Sequence, residues 1–148
     1  MPGPQASDLP PLALAYVGDA VYELLIRSQA IRATGGQVRL AELHQQVVAR
    51  VRAGAQAQAL HRLLPLLTAD ETAVVRRARN ARPSHPVPSG AQPGEYRYSS
   101  GLEALFGYLY WQGRWQRLQE LAEAVAAFGE RTAAGPQAPM QTTRERRT

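Results

Sequence analysis

One acid, Asp19, interrupts a run that is otherwise apolar from Leu12 to Val21. The helical spacing of apolar residues continues to about Ala33, where Gly35-Gly36 stops it. Such a helix has to bury much of its surface, yet a carboxylate on its apolar side is expensive to bury unless something compensates it. Glu103 raises the same problem, being the only charged residue between Arg97 and Arg114. Two isolated carboxylates far apart in sequence suggest one shared partner. A divalent cation suits them, because hard cations prefer oxygen ligands. The alternative for each acid is an arginine partner or a helix cap. Glu23 lies one helical turn from Asp19 and can share its side, but it also stands i,i+4 from Arg27, the ordinary spacing of a surface ion pair. A crossing of the two helices near Gly18 and Gly101 would bring Asp19 and Glu103 within reach of one ion.

The remaining pattern is also helical. Leu40, Leu43, Val47, Val48 and Val51 form a stripe over Arg39 to about Arg52, and Gly54 is a candidate break. A short helix over Ala55 to Leu64 precedes Pro65. Thr68, with Glu71 three residues on, reads as a capping box opening a helix to about Arg79. Pro83 to Gly94 holds four prolines and two glycines and reads as a loop. Ser99 or Ser100 then caps a helix to about Trp111, and Gly113 marks a turn. Arg114 to Phe128 is amphipathic, with Leu118, Leu121, Val125 and Phe128 inward. Trp111, Trp115, Tyr108 and Tyr110 are expected in the core or at an interface between copies. No strand and no internal repeat is evident, so the fold class is all-α.

Composition narrows the chemistry. The 148 residues fit one domain. The absence of cysteine excludes disulfides, thiolate zinc sites and cysteine nucleophiles. No signal peptide and no membrane-spanning segment is expected, which fits a cytoplasmic protein. All 17 basic residues are arginine and the net charge is +5, unevenly spread. Arg50 to Arg82 holds seven arginines against two acids, while the first 49 residues hold three against four. A basic segment on a balanced body points to a polyanion, phosphate first; a solvated surface is the blander reading.

Two of these runs carry a resemblance. LAYVGDAVYELLIR resembles the signature helix of the ribonuclease III family, and SSGLEALFGYLYW resembles that family's later helix around its metal-binding glutamate. The short branch of the family, Mini-ribonuclease III, is the closer match. Leu43-His44, Arg77-Ala78-Arg79-Asn80-Ala81 and Tyr96-Arg97-Tyr98-Ser99 support it. The resemblance covers about residues 10–130, leaving an N-terminal extension over 1–9 and a polar tail over 131–148 that is expected to be disordered. It implies a helical, homodimeric endonuclease domain that cradles double-stranded RNA. Mg²⁺, with Mn²⁺ able to substitute, would activate water for phosphodiester hydrolysis, leaving 5′-phosphate and 3′-hydroxyl ends. It assigns Asp19 and Glu103 as catalytic metal ligands. The substrate it implies is a precursor of 23S, large-subunit, ribosomal RNA.

Two positions depart from the full-length family. Ala15 stands where it has a glutamate, and Ser100 where it has an aspartate; the short branch is similar in lacking both. Only twenty residues follow Phe128, too few for the family's double-stranded-RNA-binding domain. The helical domain is therefore expected to grip RNA itself, through Arg76, Arg77, Arg79, Asn80 and Arg82, whose guanidinium forks suit phosphate oxygens. Basic residues at a helix C-terminus also favour the helix dipole. The loss of two acids motivates an alternative, a non-catalytic double-stranded-RNA-binding protein on the same fold. A helical protein-interaction adaptor with arginine-paired acids is a third reading.

Overall fold

The computed structural model describes residues 2–81 and 93–134. Among them are six α-helices and no strand: α1 (Pro11–Ala33), α2 (Leu40–Val51), α3 (Ala53–Leu63), α4 (Ala69–Asn80), α5 (Pro93–Trp111) and α6 (Trp115–Ala134). The punctuation follows local chemistry. Pro11 opens α1, where its missing N–H costs nothing. Gly35 and Gly36 end that helix at positive φ, as does Gly113 between α5 and α6. Thr68 caps α4 through a reciprocal box: its hydroxyl accepts from the Glu71 N–H, and its own N–H donates to the Glu71 carboxylate.

Helix α5 is the axis of the fold, and α1, α3, α4 and α6 all pack on it. Its buried face carries Leu102, Leu105, Phe106 and Leu109. These meet Tyr22 and Ile26 of α1, Leu60 and Leu63 of α3, and Leu118 and Leu121 of α6. Each fully buried side chain of this size contributes about 1.5–3 kcal/mol over exposure. Tyr22 sits edge-on to Phe106, ring centres 5.0 Å apart, so it is a core residue. A second apolar cluster joins Leu14 and Ala15 of α1, Val74 and Ala78 of α4, and Ala104 of α5. Ala15 lies within this cluster.

Several expectations are corrected. Helix α5 begins at Pro93, so Ser99 and Ser100 cap nothing: both are buried mid-helix, and the Ser99 hydroxyl donates to the Tyr96 carbonyl. The break between α2 and α3 falls at Arg52, whose backbone is extended, and not at Gly54. Helix α6 runs to Ala134, past the expected start of the tail. Tyr110, Trp111 and Trp115 are exposed and Tyr108 is half-buried. The Trp111 indole donates to the Pro4 carbonyl at 2.8 Å and ties down the segment before α1. The expected Pro83–Gly94 loop and the Arg144–Arg147 end of the tail lie largely or wholly outside the described residues.

Candidate active site

The site begins with a missing side chain. Gly18 is buried, and a Cβ built on it would overlap the backbone carbonyl of Glu103 and crowd the N–H of Gly107. Gly107 is equally tight against the Leu14 carbonyl of α1. The helices therefore cross backbone to backbone at Gly18 and Gly107. Gly101, the expected partner, faces elsewhere: side chains of Arg79, Leu60 and Val75 lie 3.2 Å from where its Cβ would be. The six-residue offset follows from the helix period, since Glu103 and Gly107 are one turn apart on one face of α5.

This crossing places Asp19 beside Glu103 in unequal environments. Asp19 is one residue past Gly18, rotated about 100° from the contact line, and it stands exposed at the rim. Burial of part of its carboxyl, then the nearby charge of Glu23, raises its pKa. Glu103 is the deeper acid. Burial, with the charge of Asp19 adding to it, pushes its pKa up to about 8, against a lowering by a hydrogen bond from Gln56. No arginine acts on Glu103 among these groups. The arginine-paired arrangement does occur elsewhere: Glu23 binds Arg27 at 2.7 Å, and Glu71 binds Arg117 at 2.8 Å. Glu103 is thus a largely buried acid whose charge is opposed by its neighbourhood.

Such a pair fits a hard divalent cation, which would supply the positive charge that both carboxyls lack. Among the described residues no group of three or more His, Cys, Asp or Glu is placed to hold a metal together. The protein's offer is two carboxylates. Ala15 and Ser100 are both buried, and neither side chain carries a carboxylate. His44 is exposed on α2, and His61 stacks on Tyr98, ring centres 4.1 Å apart.

The basic cluster divides. Arg76, Arg77 and Asn80 are exposed on the outer face of α4, whose inner face is Val74, Val75 and Ala78. Arg79 turns inward with that face; its guanidinium lies 4.0 Å from the centre of the Tyr98 ring, pinning α4 to α5. Arg82 lies outside the described residues. The residue that sequence reading missed is Gln56, which is buried on α3 and lowers the pKa of Glu103. Its one signal was a polar side chain among the alanines of an inward face.

Residues 12–114 match the Ribonuclease III domain family. The Mini-ribonuclease 3 of Symbiobacterium thermophilum is 50% identical over 123 residues, covering 83% of this chain and 92% of that protein. The Mini-ribonuclease 3 of a Thermoanaerobacter species is 43% identical over 115 residues, 78% of this chain and 79% of the relative. In three dimensions the chain is similar to a crystal structure of a protein from Fusobacterium nucleatum. The TM-score is 0.72 at 25% identity, over 83% of this chain and 95% of that one.

Proposed function

From the premise that this chain belongs to the ribonuclease III family, and is an endoribonuclease of the Mini-ribonuclease 3 kind acting on double-stranded RNA, we propose that Asp19 and Glu103 are its metal ligands. The preferred ion is Mg²⁺, with Mn²⁺ as a working substitute. The observation that carries this reading is Glu103: a largely buried carboxyl, raised by burial and by Asp19, with no arginine among the described residues that act on it. In a purely structural core such a residue is a cost without a return.

When bound, the ion lowers the pKa of a coordinated water and stabilises charge on the phosphate. The chain's own residues do the rest. Asp19, at the rim, and Glu103, beneath it, would hold the ion, and Gly18 lets the two backbones that carry them meet. Water would complete the coordination of an ion held by these two residues, which Mg²⁺ tolerates. Arg76, Arg77 and Asn80, exposed at the end of α4, attract the phosphate backbone, and we include Arg79 and Arg82 in that basic segment.

We place two copies of the chain together through α1. Tyr16 is 85% exposed and Leu24 55%, and Ile31 is exposed one heptad beyond Leu24. An uncovered apolar stripe on a central helix supports pairing with a second copy. The proposed substrate is a precursor of 23S ribosomal RNA, met in the cytoplasm. No described helix is long and apolar enough to cross a membrane.

The test is cleavage of a large-subunit ribosomal RNA precursor transcript with Mg²⁺, mapping both new ends, beside a duplex of unrelated sequence. Discrete cuts in the precursor with 5′-phosphate and 3′-hydroxyl ends are expected. Equal, scattered cutting of both RNAs would remove the ribosomal assignment. Binding that is salt-sensitive but indifferent to Mg²⁺, with no cutting, would remove the metal assignment.

A further inference from the structure

Among the described residues, the Nε of Arg79 is the single buried side-chain polar atom without a hydrogen-bond partner. No carboxylate meets this guanidinium either: the ion pairs of the described residues use Arg27, Arg39 and Arg117. Arg79 is half-buried, so its charge is partly withdrawn from water with nothing of opposite sign to offset the loss. A ring holds it in place. The Arg79 guanidinium carbon lies 4.0 Å from the centre of the Tyr98 ring, and the His61 ring centre lies 4.1 Å from the same point. Two groups cannot share one face at that range, so Tyr98 is sandwiched between them.

Three helices build this stack. His61 comes from α3, Arg79 from the last turn of α4 and Tyr98 from α5. Gly101 leaves room for the arginine stem, since a Cβ there would lie 3.2 Å from the Arg79 Cγ. Arg117 shows what a structural arginine looks like in the same fold: its guanidinium donates to both oxygens of Glu71, to Glu120 and to the Leu66 carbonyl. The donors of Arg79 are not used in this way. Arg76, exposed one turn earlier at i,i+3, adds a like charge beside it. A planar guanidinium binds phosphate oxygens bidentately, and one already held loses less freedom on binding.

We propose that Arg79 is a preset clamp for one backbone phosphate of the RNA duplex, and that Tyr98 is its positioning residue, holding the guanidinium with its terminal amino groups toward the phosphate. The proposal rests on reading the end of α4 as the surface that faces RNA. Arg76 and Arg77 attract the backbone as exposed charges; Arg79 binds through a fork that is fixed beforehand. Tyr98 itself touches no RNA and acts through Arg79.

The experiment measures KM and kcat for cleavage of a labelled RNA duplex with Mg²⁺, and melting temperature, for the wild type, Arg79→Gln, Arg79→Lys, Tyr98→Phe, Tyr98→Leu and the double variant Arg79→Gln with Tyr98→Leu. Arg76→Ala and Arg77→Ala are measured beside them. Lysine keeps the charge without the fork; phenylalanine keeps the ring. The expected result is KM about tenfold higher in Arg79→Gln, the size of a lost charge-assisted hydrogen bond, with kcat at saturating RNA retained. Arg79→Lys should not recover the wild-type KM. Tyr98→Leu should raise KM severalfold, Tyr98→Phe should keep the wild-type value, and the double variant should be no worse than Arg79→Gln alone. A wild-type KM in Tyr98→Leu, or KM effects that add in the double variant, overturns the positioning role. If Tyr98→Leu does not fold, a wild-type KM in Arg79→Lys overturns the proposal, because charge alone then suffices. A fall in melting temperature with KM unchanged in Arg79→Gln also overturns it, as the mark of a packing role. Failure of the underlying reading looks different: Arg76→Ala and Arg77→Ala then keep the wild-type KM as well.

Discussion

Gly18 of α1 lies directly on the backbone carbonyl of Glu103 in α5, so the two helices that carry the acids touch without an intervening side chain. The position of Asp19 next to Glu103 follows from that contact. Gly18→Ala should therefore separate α1 from α5, because its Cβ meets rigid backbone. Overpacking of this kind costs about 1–3 kcal/mol or more, and the carboxylates should lose their shared ion. Gly101→Ala meets only side chains that can shift, and should cost less. Denaturant unfolding of both variants checks the order; equal losses would contradict it.

Protonation should couple to metal. Glu103 holds its proton up to about pH 8 in the metal-free protein, against an ordinary value of 4.5. A carboxyl raised on folding favours the folded state at low pH, and that contribution is lost as pH rises from the ordinary value through about 8. The metal-free protein should lose stability over this window, and Mg²⁺ should restore more at its upper end. Near neutral pH, Mg²⁺ binding should release about one proton per site. Calorimetry in buffers of different ionisation enthalpy measures that release; none at neutral pH would mean Glu103 is already ionised.

Asp19→Asn removes a negative charge that raises Glu103. The variant should fold as well as the wild type, or slightly better, and cleave no RNA. Thermal unfolding and a cleavage assay separate the two effects, and retained turnover would sink the metal-ligand role.

The opposite pH behaviour is expected of Glu71. Burial would raise its carboxyl, but hydrogen bonds from Arg117 and from the Thr68 N–H outweigh that and hold it below the usual range. Its contribution is present above the ordinary carboxylate value and is lost as pH falls through the depressed one. Arg117→Ala leaves Glu71 buried and unpaired, and should cost about 3–5 kcal/mol. Urea unfolding near neutral pH measures it, and a loss under 1 kcal/mol would show that the pair is dispensable.

The two faces of α4 should differ in RNA binding. Arg76→Ala and Arg77→Ala should each lower the salt slope of duplex binding by about one phosphate contact and leave stability unchanged. Arg79→Ala should also destabilise, because its guanidinium lies on the Tyr98 ring. Binding isotherms at several salt concentrations, with melting curves, test the division.

Much of this was legible in the sequence. Apolar spacing gave the helices, Thr68 and Glu71 gave the cap, and two stranded acids pointed to the candidate site. What was not legible depended on geometry between helices. Which glycine of α5 meets Gly18 is decided by the crossing of the two helices, and Gly107 stands where Gly101 is expected. Ser99 and Ser100 read as caps because serine favours helix starts, but Pro93 opens the helix earlier and packing holds both serines inside it. Gln56 gave little notice, because a glutamine in a helix is ordinarily a surface residue. Asp19 was expected on a buried face and stands at its edge, since one residue past a contact glycine is already turned toward solvent.

The central claim is that Asp19 and Glu103 act together through one cation site. Cleavage of a purified RNA duplex with Mg²⁺, comparing the wild type with Asp19→Asn and Glu103→Gln at matched folding, tests it most directly. The account predicts cleavage by the wild type and by neither variant. Mg²⁺-dependent cleavage by Glu103→Gln at the wild-type rate would contradict it.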